Sequence, residues 1–246
     1  HLLTVSAPHA VAPRFSGVAL ADVTGGGYAE LYFVDFDTTE TGISEQGGND
    51  LNDRLLINSG GTTATSGYFT DQSQLRMTPV QLLSSFGAAA KSYDANGDGL
   101  MDLSKVTTLS GTRKAAIYYN DPSNVGNFTG MGEQIVDTSS APYGFGLGNL
   151  NNDAFTDIAI LDDGLDNFRL GTGVGAPPLS YSGWGPGKLF TFIPGAGGDD
   201  GNGHSPYIRD LDGDGWNDVL ITDVSGDLTG CGRRLHIYPN TGTVPG

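Results

Sequence analysis

Cysteine is almost absent from this 246-residue chain. Cys231 stands alone, so no disulfide can form within the chain. A chain of this length buries most of the surface that its unfolded form exposes, so it needs no such staple. Basic residues are scarce as well: 12 Lys and Arg stand against 28 Asp and Glu, for a formal net charge of −16. That surface repels polyanions and carries no basic stripe, which argues against nucleic acid as a partner. Attraction to an anionic bilayer is disfavoured for the same reason. No run approaches the roughly 18 apolar residues of a membrane span, so no membrane insertion is expected. A helical period of apolar residues is also missing. So are the common catalytic signatures, with no G-x-S-x-G elbow and no H-E-x-x-H. The four histidines, His1, His9, His204 and His236, show no ligand spacing. Gly171, Gly173 and Ala176 imitate a dinucleotide loop, but Pro177-Pro178 follows and the stretch reads as a turn. A non-enzymatic protein is the expectation.

What the chain has in excess is glycine, 39 residues, and a recurring acidic turn. "DVTGGGYAELYF" starts at Asp22, "DANGDGLMDLSK" at Asp94, "NLNNDAFTDIAI" at Asn149 and "DLDGDGWNDVLI" at Asp210. A small or aromatic strand-like run precedes each turn: "FSGVALA", "FGAAAKS", "YGFGLG" and "SPYIR". An apolar run follows each one. "DRLLINSGG", "AAIYYNDPS", "NFRLGTG" and "RLHIYPNTG" read as third strands that end in Asn/Gly turns. Short aromatic-Thr segments at Phe69-Thr70, Phe128-Thr129 and Phe190-Thr191 read as fourth strands.

Four strands in a unit of roughly 60 residues is the blade of a β-propeller. The expected fold is all-β: a single propeller domain over 1–246 built from four four-stranded repeats, about 15–72, 86–131, 143–192 and 204–246. The last repeat lacks a fourth strand, and residues 1–6, "HLLTVS", are expected to complete it. The same strand donated to a neighbouring copy would build a filament instead.

The acidic turn poses a physical problem. Two like charges about 4 Å apart repel by roughly 4 kcal/mol at an effective dielectric of 20. Acids at positions 1, 3, 5 and 9, with Gly at 6, place hard oxygens around one point, and the position-7 carbonyl adds another. Ca²⁺ takes six to eight such oxygens in a flexible loop. An EF-hand is excluded, because position 12 is Lys105 or Ile221 rather than Glu, and strands flank the loop.

Two loops carry full sets. One comprises Asp210, Asp212, Asp214 and Asp218 with the Trp216 carbonyl; the other comprises Asp94, Asn96, Asp98 and Asp102 with the Leu100 carbonyl. Weaker binding is expected at Asn149, Asn151, Asp153 and Asp157 with the Phe155 carbonyl, where Ala154 replaces the Gly. The Asp22–Glu30 loop lacks carboxylates at positions 3 and 5, and no metal is expected there.

"FGAAAKSYDANGDGLMDL" and "DLDGDGWNDVLITD" resemble FG-GAP/VCBS repeats, the calcium-loop blades of integrin α-subunit heads and of many bacterial extracellular proteins. "NDRLLINSGG" and "GYFTD" resemble the third and fourth strands of those bacterial repeats. The resemblance implies a calcium-binding propeller in a secreted or cell-surface setting. The function it implies is adhesion or recognition of an extracellular glycan or protein ligand. A filament of further copies of the chain is the alternative, and a polysaccharide-active enzyme ranks behind both. Tyr181 and Trp184, in a Gly/Pro-rich loop, are candidates to stack on a sugar face. Asn127-Phe128-Thr129 is a sequon, so Asn127 is a candidate glycan attachment site.

Overall fold

The computed structural model describes residues 15–35, 53–61, 69–82, 87–107, 114–131, 134–137, 142–162, 166–172, 188–189, 206–223 and 234–242. These form four antiparallel sheets, each laid down in chain order. The first holds β1 (Phe15–Ala21), β2 (Glu30–Asp35), β3 (Arg54–Asn58) and β4 (Phe69–Asp71). One-turn helices α1 (Ser73–Arg76) and α2 (Pro79–Leu82) follow it. The second holds β5 (Gly87–Tyr93), β6 (Asp102–Thr107), β7 (Lys114–Tyr118) and β8 (Gln134–Asp137). The third holds β9 (Pro142–Gly148), β10 (Asp157–Asp162), β11 (Asn167–Arg169) and β12 (Lys188–Leu189). The fourth holds β13 (Tyr207–Arg209), β14 (Asp218–Asp223) and β15 (Arg234–Tyr238).

Every acidic turn is the hairpin between the first and second strands of its sheet. The register is the same in each. Ala21 pairs with Glu30, Tyr93 with Asp102, Gly148 with Asp157 and Arg209 with Asp218. The acid at position 9 therefore always begins the second strand.

The sheets pack face to face in sequence, with β1 against β5, β5 against β9 and β9 against β13. Alternation along the strands supplies the two faces. Tyr32 and Val34 of the first sheet meet Ala90, Leu103, Ala116 and Tyr118 of the second. Val106, Ala115 and Ile117 on the reverse of the second sheet meet Phe145, Ile158 and Ile160 of the third. Ala159 and Leu161 continue the core to Val219 and Ile221 of the fourth. Covered on both faces, β10 is buried at all six positions, as a continuous apolar run between two layers requires. The first strands approach closely enough to exclude side chains. A Cβ at Gly148 would lie 2.5 Å from Ile208 Cγ2. Lys91 Nζ of the second sheet lies 5.6 Å from the ring centre of Tyr207 on the fourth. The fourth and first sheets share no comparable packing among the described residues.

Two local expectations meet a different structure. The chain between β4 and β5 forms two helical turns where no helix was expected. Phe128-Thr129 is not a strand; it belongs to a turn, and the fourth strand of its sheet is β8, farther along. Phe128 is fully buried in the cluster between the first two sheets, and its N–H donates to Arg76 O at 2.8 Å. Burying the aromatic ring overrides its strand propensity. The fourth sheet has three strands among the described residues, and the segment expected to complete it, 1–6, lies outside them. Tyr181 and Trp184 also lie outside.

Candidate metal loops

The 210–218 turn is shaped by its own hydrogen bonds. Asp210 accepts from Gly213 N at 2.6 Å and Gly215 N at 3.0 Å. Asp212 accepts from Asp214 N at 3.1 Å, and Asp214 from Trp216 N at 2.8 Å. Gly213 and Gly215 adopt φ of +83° and +90°, the left-handed region that a side chain disfavours. With those bends in place, one carboxylate oxygen from each of Asp210, Asp212 and Asp218 lies within 4.8 Å of the others. Asp210 and Asp212 are exposed and Asp218 is buried. This group of acids could hold a metal ion, and its donors, hard carboxylate oxygens, suit a hard divalent cation.

The 94–102 turn repeats the design. Asp94 accepts from Asp98 N at 3.1 Å and Gly99 N at 2.9 Å, and Asp98 accepts from Leu100 N at 2.8 Å. Here the amide at position 3 intervenes: Asn96 Nδ2 donates to Asp98 Oδ2 at 3.0 Å. In the 149–157 turn Asn151 does the same to Asp153 at 2.7 Å, and Asp153 accepts from Phe155 N at 2.7 Å. Asn149, a donor as well as an acceptor, gives its amide hydrogen to the Asp153 carbonyl. Asn152 takes the left-handed bend at φ +55°. The 22–30 turn is closed by Glu30, which accepts from Val23 N at 2.8 Å and from Thr24 Oγ1 at 3.1 Å.

The position-9 acid does more than sequence reasoning assigned to it. One oxygen accepts from the second residue of its own turn: Ala95 N to Asp102 at 2.8 Å, Leu211 N to Asp218 at 2.9 Å, and Leu150 N to Asp157. The other accepts from the residue that leaves the third strand: Asn120 N at 2.8 Å, Gly171 N at 2.7 Å and Asn240 N at 2.7 Å. This buried carboxylate ties turn to sheet. Burial, reinforced by the charges of Asp98 and Asp94, pushes Asp102 up to about 7, against the pull of its two N–H donors. Burial likewise raises Asp157 to about 6, with Asp153 adding to it. A cation beside either group would offset that cost.

Asparagines after the third strands were missed as well. Asn120 Nδ2 donates to Met101 O at 3.0 Å and across the seam to Val23 O at 2.7 Å. Asn240 Nδ2 donates to Asn217 O at 3.1 Å and across to Leu150 O at 2.6 Å. Their recurrence in "YYNDP" and "YPNTG" was the available signal. Nothing local marked Lys105, whose Nζ lies 2.6 Å from Asp53 with both side chains 1% exposed. Asp53 also accepts from Tyr32 Oη and Asp35 N, each at 2.9 Å. Burial raises its pKa, and Lys105 opposes that shift.

Asn127 is half-buried between the buried Gly126 and Phe128; its Oδ1 accepts from Thr129 N at 2.9 Å and Thr129 Oγ1 at 2.6 Å, and its Nδ2 donates to Leu75 O at 3.5 Å. Among the described residues no helix is long and apolar enough to cross a membrane. No protein-family model matches the chain, and no curated protein matches it.

Proposed function

We propose that the four sheets are blades of a calcium-stabilised β-propeller of the FG-GAP/VCBS kind. In this reading it acts as a non-enzymatic adhesion or recognition module in a secreted or cell-surface setting. The observation that carries the reading is the convergence of Asp210, Asp212 and Asp218 in a turn whose register recurs in all four sheets. Sequential face-to-face packing of first strands supports the blade assignment. In this reading Ca²⁺ occupies the 210–218 turn most tightly and the 94–102 turn next. The 149–157 turn, with two amides among its donors, binds more weakly. The ion would supply structural charge compensation, held by the turn carboxylates, which the turn N–H groups orient.

The ligand is an extracellular glycan or protein, with Tyr181 and Trp184 as candidate sugar-stacking residues. Residues 1–6 complete the fourth sheet. The experiment that tests the reading is calcium titration by isothermal calorimetry, paired with a glycan array. Two saturable sites that vanish with Asp212→Ala and Asp98→Ala are expected. Calorimetry that shows no calcium binding at either turn would remove the cation reading. A silent array would turn the recognition reading toward a protein ligand.

A further inference from the structure

We infer that the chain pairs with a second copy of itself, the outer face of the fourth sheet of each docking on the outer face of the first sheet of the other. The inference rests on reading the sheets as blades, and it names a partner for them. Counting from the position-9 acid makes the seams comparable. Lys105 lies three residues past Asp102, and Phe33 three past Glu30. Asp53 lies five residues before Asn58, and Leu235 five before Asn240.

At the seam between the first two sheets the pair is Asp53 with Lys105, buried and charged. At the seam between the second and third, Ala115 and Ile160 hold these positions within one apolar cluster. Between a fourth and a first sheet the pair would be Leu235 with Phe33, both apolar like Ala115 and Ile160; the third-to-fourth seam, where the count gives Asp166 and Ile221, does not follow this matching. Those two faces are the ones that no other described sheet covers. Leu235 is 58% and Ile237 50% exposed, whereas Ala115 and Ile117, at the equivalent places in the second sheet, are each 1% exposed. On the first sheet Val18 is 42% and Leu20 59% exposed, beside Phe33 stacked on Phe15 at 4.8 Å.

A hydrogen bond is waiting at the same seam. Asn58 matches Asn120 and Asn240: its Oδ1 accepts from Gly60 N at 3.0 Å, as theirs do from Gly126 N and Gly242 N. Its Nδ2 donates to Ala29 O at 3.2 Å, which corresponds to the bonds to Met101 O and Asn217 O. The cross-seam bond made by Asn120 to Val23 O and by Asn240 to Leu150 O has no counterpart at Asn58 among the described residues. Its equivalent acceptor is Leu211 O, on an exposed turn of the fourth sheet. Repeating one contact about one axis closes a ring when the rotation permits it. Two copies of four sheets make eight, within the range of closed propellers.

The test is solution mass by light scattering and sedimentation on the full chain in calcium, across concentration. Twice the 25.6 kDa chain mass is expected. Leu235→Asp should raise the dissociation constant at least about tenfold. Adding Phe33→Lys should restore pairing by recreating the Asp53–Lys105 arrangement at the new seam. Circular dichroism checks the fold of each variant. Should the double variant fail to fold, Ile237→Lys, a second exposed change, decides in its place and is expected to dissociate the pair. A chain that stays single at every concentration, a ladder of larger species, or a mass indifferent to Leu235→Asp overturns the pair. Calcium-dependent melting measured on the same samples separates the two readings. A single chain that still melts higher in calcium leaves the cation reading standing, and a pair that ignores calcium removes only that reading.

Discussion

The buried acid Asp102 makes stability a function of pH, and the proposed cation would couple that dependence to calcium. Its carboxyl titrates near 7 in the folded chain and near 3.8 when unfolded. A shift of that size corresponds to about 4 kcal/mol at 1.36 kcal/mol per unit. The sign follows from which state holds the proton more tightly. Below pH 4 Asp102 is protonated in both states, and nothing opposes folding. As pH rises from 4 to 7 the unfolded chain releases the proton first, and the folded state falls behind. Above about pH 7 the folded chain carries an uncompensated buried carboxylate, and the full cost is present.

Metal-free protein should therefore lose stability between pH 4.5 and pH 8, by up to about 4 kcal/mol from this group. Saturating calcium favours the ionised form and should flatten the profile. Binding should release protons, so apparent calcium affinity should weaken as pH falls below 7. Urea unfolding at pH 4.5, 6 and 8, in metal-stripped buffer and in calcium, reads the effect directly. Asp102→Asn should flatten the metal-free profile: it should cost about 1–3 kcal/mol at pH 4.5 for the displaced N–H contacts, and at pH 8, where the wild type bears the buried charge, the variant should match or exceed the wild type. Parallel pH profiles with and without calcium would refute the reasoning, since the cation would then have no hold on this carboxylate.

Other perturbations probe separate parts of the structure. Asp212→Ala should lower the melting temperature by several degrees in calcium and by about 1 °C or less in chelator, since Asp212 is exposed and its one turn bond is replaceable by water; scanning calorimetry decides. Lys105→Met leaves Asp53 buried and uncompensated and should cost about 3–5 kcal/mol in urea unfolding, most of it recovered by adding Asp53→Leu. Phe128→Ala empties a fully buried site beneath α1 and should cost about 3–5 kcal/mol. Deletion of His1–Ser6 should lower stability and change assembly if these residues complete the fourth sheet; unchanged melting and mass would refute that strand assignment.

What was legible in the sequence was local and periodic. "DLDGDGWNDVL" announces a turn through glycines at positions 4 and 6, and the structure bends at both with positive φ. "ELYFVD", "DIAILD" and "DVLITD" announce strands through β-branched and aromatic residues, and all three are strands. The third strands follow for the same reason. What was not legible depends on residues far apart in the chain. Phe128 looks like strand material, yet the cluster between the first two sheets takes its ring, and its N–H bonds the carbonyl of Arg76, some fifty residues earlier. Lys105 looks like a solvent-facing charge until Asp53 arrives from another sheet. The acids of the 210–218 turn were read as one kind of residue, but they divide. Those at 1, 3 and 5 are exposed and shape the turn, and the one at 9 is buried and joins the turn to the third strand.

That division bears on how a cation would act. The turns already hold their shape through N–H donors: Asp94 and Asp210 each accept two, and Asp102 and Asp218 accept one on each oxygen. A cation bound there would relieve the repulsion that the bend concentrates. Because the position-9 oxygen also receives Asn120 N or Asn240 N, relief at the turn reaches the third strand. Through Nδ2 of the same asparagine it reaches the neighbouring sheet at Val23 or Leu150. Gly171 stands where the third sheet would need that asparagine, so the second-to-third seam lacks this link and relies on its apolar cluster. Calcium should accordingly stiffen the first seam and the third more than the second. Hydrogen exchange should show the contrast, with protection gained on calcium addition at Val23, Leu150 and their strands and little change at Val106 and Ile158.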